Sequence, residues 1–141
     1  MEKRFYVDTS VWRDYFEDRS DSMRPLGEFA FRFLKGCLDN RVEILVSDLV
    51  IIELRNSLSE NQVAEIFSPF EAVIVRVAAT KPQYVVATGE WVRLGKMFPL
   101  NDVFHAIIAK GSRAVVVTRD RHFESLGHIA ASAKPEDVIF S

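Results

Sequence analysis

Short apolar runs alternate with helix-like segments along the chain, and this alternation limits the fold more than any other feature of the sequence. Four short segments have a continuous apolar centre, and they span residues 3–8, 42–47, 72–78 and 113–120. Continuous apolar runs of this length are typical of parallel strands that helices cover on both faces. The pattern therefore predicts an α/β protein with a mostly parallel central sheet.

The segments between these runs predict the helices. In the clearest one, at about residues 23–39, apolar residues recur at the spacing of one buried helix face. Ser10 and Asn101 are suitable N-caps for the first and last predicted helices. Besides the clearest one, helices are predicted near residues 11–17, 48–58, 60–67, 82–98 and 102–110. A short last strand and a closing helical turn are predicted within residues 128–140.

The length of 141 residues fits one domain over residues 1–141, and no repeat or linker divides it. The one cysteine, Cys37, has no intramolecular disulfide partner and lies in an apolar helical stripe, so we expect a buried thiol. The N-terminus lacks the apolar segment of a signal peptide, and no apolar run approaches the roughly 18 residues of a membrane span. These features predict a cytoplasmic protein without membrane contact.

The net charge of −2 argues against a protein that coats nucleic acid through bulk positive charge. It does not exclude a nuclease, because a nuclease site is acidic and its basic residues can lie around the rim. Charge alone therefore leaves an enzyme that acts on nucleic acid open.

Four acidic residues are candidates for one site. Asp8 and Asp120 end the first and fourth predicted strands, at the edge where α/β sheets bind ligands. Glu53 flanks the apolar stripe of its helix, and Asp102 shares a helix face with small apolar residues. Each alone also fits an ordinary role as a turn, cap or surface residue. Their joint placement is what favours a functional interpretation.

Carboxylates that share a pocket need protons or a cation, because two like charges about 4 Å apart repel by about 4 kcal/mol at an effective dielectric near 20. The candidate ligands are hard oxygens, and the sequence has no cysteine cluster and no histidine pair at zinc spacing. Such a set favours magnesium or manganese. The usual chemistry of these ions is phosphoryl transfer or phosphodiester hydrolysis.

Two other α/β classes that handle phosphate fit less well. A receiver domain needs an adjacent acid pair after its first strand, whereas Asp8 is followed by Thr9 and Ser10. A phosphatase with an aspartate nucleophile usually has a second aspartate two positions later, where this chain has Ser10. The sequence therefore favours a metal-dependent nuclease over both.

Four segments, in this order, resemble the PIN-domain ribonucleases, and most closely the VapC-like toxins of toxin–antitoxin pairs. They are FYVDTSVW, SDLVIIEL, NDVFHAIIA and VVVTRDRHF. The resemblance covers essentially the full length, although residues 59–98 contain no matching motif. It implies a three-layer α/β/α fold with an acidic metal site at one edge of the sheet.

The resemblance also implies roles for single residues. The acidic residues of the family correspond to Asp8, Glu53, Asp102 and Asp120. All except Glu53 would hold one or two magnesium or manganese ions, and Glu53 would ligate through water or orient the attacking water.

Other residues are expected to support this site. Thr118 matches a hydroxyl residue of the family, Ser10 is a second supporting hydroxyl, and His105 is expected to pack or hydrogen-bond rather than bind the metal. Several arginines lie near the acids in sequence and are candidate phosphate contacts, with solvated surface arginines as the alternative; they are Arg13, Arg55, Arg119 and Arg121.

The expected function is that of a metal-dependent endoribonuclease that acts on single-stranded or loop RNA. As a toxin of this family it would pair with a small antitoxin and form a homodimer. Two alternatives remain open at the level of sequence. One is a PIN domain that binds RNA or acts as a scaffold without cleaving, and the other is a free-standing RNA-processing nuclease.

Overall fold

The computed structural model describes residues 3–18, 20 and 23–140. Its sheet has five strands in the order β3-β2-β1-β4-β5, and all neighbouring strands pair in parallel. The strands are β1 (Arg4–Val7), β2 (Glu43–Ser47), β3 (Ile74–Val77), β4 (Val115–Val117) and β5 (Ser132–Ala133). The predicted α/β class with a parallel central sheet is confirmed.

Helices connect the strands. The α-helices are α1 (Thr9–Glu17), α2 (Leu26–Asn40), α3 (Asp48–Arg55), α4 (Glu60–Phe67), α5 (Lys81–Arg93) and α6 (Leu100–Gly111). Short 3-10 helices span Ser68–Phe70, Arg121–Leu126 and Pro135–Asp137. Within the described part of the chain, none of the helices combines the length and the apolar character needed to cross a membrane.

The side chains of β1 show the layers on the two faces of the sheet. Phe5 packs edge-on against Phe33 of α2, with ring centroids 5.3 Å apart, and the next residue, Tyr6, packs against His105 of α6 at 5.5 Å. Successive side chains of a strand point to opposite faces, so α2 and α6 lie on opposite sides. Since α1 packs on α2 and α5 packs on α6, the molecule has the three-layer α/β/α architecture that the family resemblance implies.

The order of the strands opens a crevice between β1 and β4. The chain first adds β2 and β3 on one side of β1 and then places β4 and β5 on the other. After β1 it enters α1 in one helical layer, and after β4 it enters the 3-10 helix that contacts α6 in the other layer. Ligands of α/β sheets bind at such a switch point, outside the carboxyl ends of the strands.

The core is apolar on both faces of the sheet and rich in aromatic residues. Ile44 and Val46 of β2 are completely buried, and Trp12 of α1 packs edge-on against Phe67 of α4 with centroids 4.8 Å apart. Cys37 is buried in α2, as the sequence predicts, and burial raises the pKa of its thiol to about 12. It is therefore a neutral core side chain at physiological pH.

Two predicted helix starts are wrong. α1 begins at Thr9, so Asp8 occupies the N-cap position and Ser10 lies inside the first turn. α6 begins at Leu100, so Asn101 lies inside the helix and is not its N-cap. The Ser10 hydroxyl instead donates to Asp8 and accepts from the backbone N–H of Arg119, and the Asn101 amide donates to Glu53. These contacts belong to the candidate site.

Other boundaries differ because of special backbone positions. α2 begins after Pro25 rather than at residue 23, since a residue before proline avoids the helical conformation. α5 ends at Arg93 rather than near residue 98, because Gly95 and Lys96 have positive φ angles of 70° and 57°. The fourth strand is shorter than predicted, since Arg113 also has a positive φ. Such left-handed residues interrupt both helices and strands.

Candidate acidic metal centre

Asp8 lies at the carboxyl end of β1, beside the end of β4. Its backbone N–H donates to the carbonyl of Val117 at 2.9 Å, which continues the ladder between the two strands. Its Oδ2 accepts hydrogen bonds from Ser10 Oγ and Thr118 Oγ1, both at 2.8 Å. The other oxygen, Oδ1, lies 3.9 Å from His105 Nε2. Two hydroxyl groups thus fix this buried carboxylate at the switch point.

Glu53 reaches the same edge from α3, whose start is fixed by Ser47. The Ser47 hydroxyl caps α3 by accepting from the backbone N–H of Val50 at 3.2 Å. Glu53 Oε1 accepts from Thr9 Oγ1 at 2.5 Å and lies 2.7 Å from His105 Nε2. Its Oε2 accepts from Asn101 Nδ2 at 3.1 Å. Side chains from α1 and α6 therefore hold the carboxylate of Glu53.

His105 connects Glu53 to the core. Its Nδ1 lies 2.5 Å from the Tyr6 hydroxyl, which lies 2.6 Å from Ser47 Oγ. Burial acts to lower the pKa of His105, but the hydrogen bond to Glu53 and the charge of Asp8 outweigh it and raise the pKa above its ordinary value. His105 is therefore easier to protonate than a free histidine, and its two ring nitrogens hydrogen-bond to Glu53 and Tyr6.

The pKa of Glu53 shifts in the complementary direction. Burial acts to raise this pKa, but the hydrogen bond from His105 and those from Thr9 and Asn101 outweigh it and hold the pKa below its usual value. Glu53 is therefore an ionised carboxylate at neutral pH. His105 hydrogen-bonds, as the sequence predicts, although its Nε2 also lies within reach of any ion at Asp8 and Glu53.

Asp102 and Asp120 form the second part of the centre, together with His122. Asp102 Oδ2 lies 2.9 Å from His122 Nδ1, and Asp120 Oδ1 lies 3.2 Å from the same nitrogen. The backbone N–H of Asp120 donates to Thr118 Oγ1 at 3.0 Å. Because the same hydroxyl donates to Asp8, Thr118 links the two parts of the centre.

The charges at this edge repel one another. Burial raises the pKa of Asp102 to about 6, against the opposing hydrogen bond from His122, and the negative charges of Asp120 and Asp8 raise it further. Two groups of side chains each have their ligand atoms within 4.8 Å of one another. One group is Asp8, Glu53 and His105, and the other is Asp102, Asp120 and His122. The residues present therefore fit a divalent cation, which would offset the repulsion that Asp102 experiences.

All four predicted acids lie at one edge of the sheet, whereas most of the four predicted arginines are engaged by other protein groups. Arg13 donates to the backbone carbonyl of Glu53 at 2.8 Å. Arg55 pairs with Glu60, and Arg119 makes two hydrogen bonds to Glu136, at 2.6 and 2.7 Å. Arg121 is exposed and makes no hydrogen bond or ion pair with any described residue. Of the four, Arg121 can bind a phosphate without giving up a protein partner.

Sequence reasoning missed Tyr6, Asn101 and His122. A tyrosine in a buried strand needs a partner for its hydroxyl, and this was the available signal for Tyr6. The sequence predicts a short helical turn around Phe123, and the structure has one, but the spacing of His122 from Asp120 does not show that the imidazole reaches Asp102. Asn101 has the appearance of a helix cap, and only the tertiary structure directs its amide to Glu53.

Comparisons with known proteins agree with this architecture. Residues 5–129 match the family model described as PIN domain. A comparison with curated protein sequences gives no significant match.

Solved structures with the same fold include three from bacterial systems. VapBC2 from Rickettsia felis, bound to a DNA fragment from its promoter, has a TM-score of 0.68 at 16% identity, covering 92% of this chain and 97% of that one. FitAcB from Neisseria gonorrhoeae has a TM-score of 0.64 at 19% identity, covering 95% and 99%. VapC20 from Mycobacterium tuberculosis, a toxin that cleaves the sarcin-ricin loop, has a TM-score of 0.65 at 18% identity, covering 87% and 95%. At these identities the likeness concerns the fold.

Proposed function

We propose that this chain, which belongs to the PIN domain family, is a metal-dependent endoribonuclease that cleaves RNA phosphodiester bonds. The observation that carries the proposal is the meeting of Asp8, Glu53, Asp102 and Asp120 at the carboxyl edge of the sheet. RNA as the substrate class is supported by VapC20, a structural neighbour that cleaves the sarcin-ricin loop. The proposal takes residues 1–141 as one PIN-like domain.

Asp8, Asp102 and Asp120 would hold one or two magnesium or manganese ions. Such an ion, when bound, lowers the pKa of the attacking water and offsets negative charge on the phosphate oxygens. Ser10 and Thr118 keep the Asp8 carboxylate in one orientation through their bonds to Oδ2.

Glu53 would orient the attacking water. Hydrogen bonds from Thr9, His105 and Asn101 hold its carboxylate, and its lowered pKa keeps it ionised. An ionised carboxylate accepts hydrogen bonds from water but is a weak base. This environment therefore suits Glu53 to orienting the attacking water rather than to acting as the general base that accepts its proton.

A cavity beside Asp120 provides a place for the RNA backbone. It has a volume of about 200 Å³, and its lining combines the basic residues Arg121 and Lys134 with the acids Glu124 and Asp137. Phosphate contacts from basic side chains position a nucleic acid without reading its sequence. Arg121, which is free of partners among the described residues, is the arginine best placed for such a contact.

The biological role that fits best is that of the toxin of a toxin–antitoxin pair, acting in the cytoplasm and forming a homodimer. Structural neighbours include VapBC2 bound to promoter DNA and FitAB bound to a DNA fragment. A small protein would then be the antitoxin partner of this chain. A neighbouring gene for a small DNA-binding protein would support this role, and a free-standing gene would favour an RNA-processing nuclease.

The central test is RNA cleavage by wild type and Asp8→Asn, each with manganese or magnesium and with EDTA. Cleavage should require the cation, and Asp8→Asn should reduce it by at least about 10- to 100-fold, since changes around a metal site cost this much. Asp39→Asn is the matched control, because Asp39 lies on α2 and pairs with the exposed Lys35. It should cleave like wild type.

Equal cleavage by wild type and Asp8→Asn, unchanged by EDTA, would contradict the mechanism. RNA binding and cation-dependent stabilisation without any cleavage would favour the non-catalytic alternative instead. The RNA panel should contain single-stranded and stem-loop substrates, because unpaired RNA exposes its bases and backbone.

A further inference from the structure

His122 lies between Asp102 and Asp120 at the spacing of neighbouring metal ligands. Its Nδ1 is 2.9 Å from Asp102 Oδ2 and 3.2 Å from Asp120 Oδ1. In an octahedral site with bonds of about 2.1 Å, adjacent ligand atoms are about 3 Å apart. An ion next to these three atoms therefore needs little movement of the side chains.

The position of the imidazole is fixed by its surroundings. The backbone N–H of His122 donates to Asp120 Oδ1 at 2.9 Å, and the ring packs on Phe98 with centroids 5.7 Å apart. The 3-10 helix that carries His122 is anchored in the core by Phe123 and Leu126, which are buried. With its side chain 45% exposed, the imidazole is also open to an ion from solution.

We propose that His122 supplies a nitrogen ligand to the cation held by Asp102 and Asp120, and that this nitrogen makes the site prefer manganese over magnesium. The inference rests on the proposed function only in taking this acidic edge as a metal site. Manganese binds nitrogen ligands less strongly than the later first-row metals do, but it accepts an imidazole more readily than magnesium, which keeps oxygen ligands and water. A site built from carboxylates alone lacks this source of discrimination.

His105 is the other histidine near the acids, and its situation differs. It is almost completely buried, and its two ring nitrogens face Glu53 and Tyr6. Among the described residues, the hydrogen-bond and ion-pair partners of His122 Nδ1 are the two carboxylates that would share the ion. An ion can therefore take the place of the His122 proton without breaking any other contact of that nitrogen.

The test exchanges this nitrogen for oxygen. In His122→Asn the amide oxygen can occupy roughly the place of Nδ1, and Asp102 and Asp120 are unchanged. Calorimetric titration of the metal-free full chain with manganese and with magnesium should show manganese affinity reduced by about tenfold or more, with magnesium affinity changed by less than about threefold. His128→Asn is the matched control, since His128 has a similar exposure of 42% and faces Glu90. It should bind both ions like wild type.

Pulsed electron paramagnetic resonance of the manganese-loaded protein gives a readout independent of activity. Wild type and His128→Asn should show the ¹⁴N coupling of a directly bound imidazole, and His122→Asn should lack it. Should His122→Asn not fold, absence of the coupling in wild type still overturns the proposal, because His122 would then not be a ligand.

The proposal also fails if His122→Asn retains the coupling and the wild-type ratio of manganese to magnesium affinity. If manganese binding is then still lost in Asp102→Asn, the metal site of the proposed nuclease stands and only the role of His122 falls. If wild type binds neither cation, the inference and the metal-dependent mechanism fall together.

Discussion

Single residues of the core hold the acidic centre in place. Tyr6 and Ser47 are completely buried and hydrogen-bond to each other, and Tyr6 also contacts His105, which contacts Glu53. Burial raises the pKa of the Tyr6 hydroxyl, with a smaller effect from the charge of Asp8, so the hydroxyl stays neutral. Buried polar groups need such partners, and each one that is lost leaves another group unsatisfied.

Tyr6→Phe should lower the free energy of unfolding by about 1–3 kcal/mol, because it leaves Ser47 and His105 short of a partner in the core. Urea unfolding measures this change. Tyr84→Phe is the control, since Tyr84 is about half exposed on α5 and should lose no more than about 0.5 kcal/mol. An equal loss in the two variants would contradict the structural role of the Tyr6 hydroxyl.

At the scale of elements, α1 and α2 approach each other at Gly27. A Cβ atom at this position would lie 2.6 Å from the Cα of Asp18 and 2.8 Å from the carbonyl oxygen of Asp14, both backbone atoms at the end of α1. Neither can move without moving the helix. This contact therefore sets the position of α1, whose first turn carries Thr9 and Ser10 to the acidic edge.

Gly27→Ala should destabilise the protein by about 1–3 kcal/mol, because the added methyl group overpacks the contact between two backbones. Gly89→Ala is the matched control. In the part of the chain that the structure describes, no atom lies within 4 Å of a Cβ at Gly89 in α5, so alanine should stabilise that helix by up to about 1 kcal/mol. Thermal and urea unfolding of the two variants should thus show changes of opposite sign, and a stabilised Gly27→Ala would be inconsistent with the close approach.

The type of each main element was predictable from the sequence, whereas its ends often were not. Periodicity and apolar runs depend on neighbouring residues, and they predicted the helices and the four main strands. The ends of α5 and β4 depend on left-handed residues such as Lys96 and Arg113, which no local pattern marks. Asn101 is a residue type common at helix N-caps, but in the tertiary structure its side-chain amide donates to Glu53.

At the scale of the whole molecule, the strand order brings distant segments to one crevice. The position of Asp8 at a strand end was predictable, because the carboxyl ends of parallel strands share one edge. The contacts of Tyr6 with His105 and of Asp102 with His122 were not, since they join residues 99 and 20 positions apart. Such contacts depend on how the two helical layers pack on the sheet.

The shared acidic edge predicts a pH-dependent stabilisation by manganese. The pKa of Asp102 is about 6 in the folded protein against an ordinary value of 3.8, mainly through burial. The contribution of Asp102 to the free energy of unfolding is thus fully present below a pH of 3.8, and it is lost as the pH rises through about 6. A proton on Asp102 competes with the cation, so manganese should raise the Tm more at about pH 7.5 than at about pH 5.

Thermal unfolding in manganese and in EDTA at the two pH values measures this effect. The hydrogen bond to Asp102 raises the pKa of His122. A proton on His122 therefore also competes with the cation, and it too weakens cation binding at the lower pH. Asp102→Asn should show a smaller increment with a weaker dependence on pH. The same increment of Tm at both pH values in wild type would exclude Asp102 as a competing site for proton and cation.

The central position of β1 has a consequence for the newly made protein. Asp8 is synthesised 110 residues before Thr118, the residue whose hydroxyl holds its carboxylate. The edge of β1 that faces away from β2 therefore stays unpaired until β4 has been made. Pairing between strands so far apart in sequence is slow. A growing chain therefore carries Asp8 before the crevice around it exists, and the acidic centre can assemble only after β4 and the residues that follow it have been made.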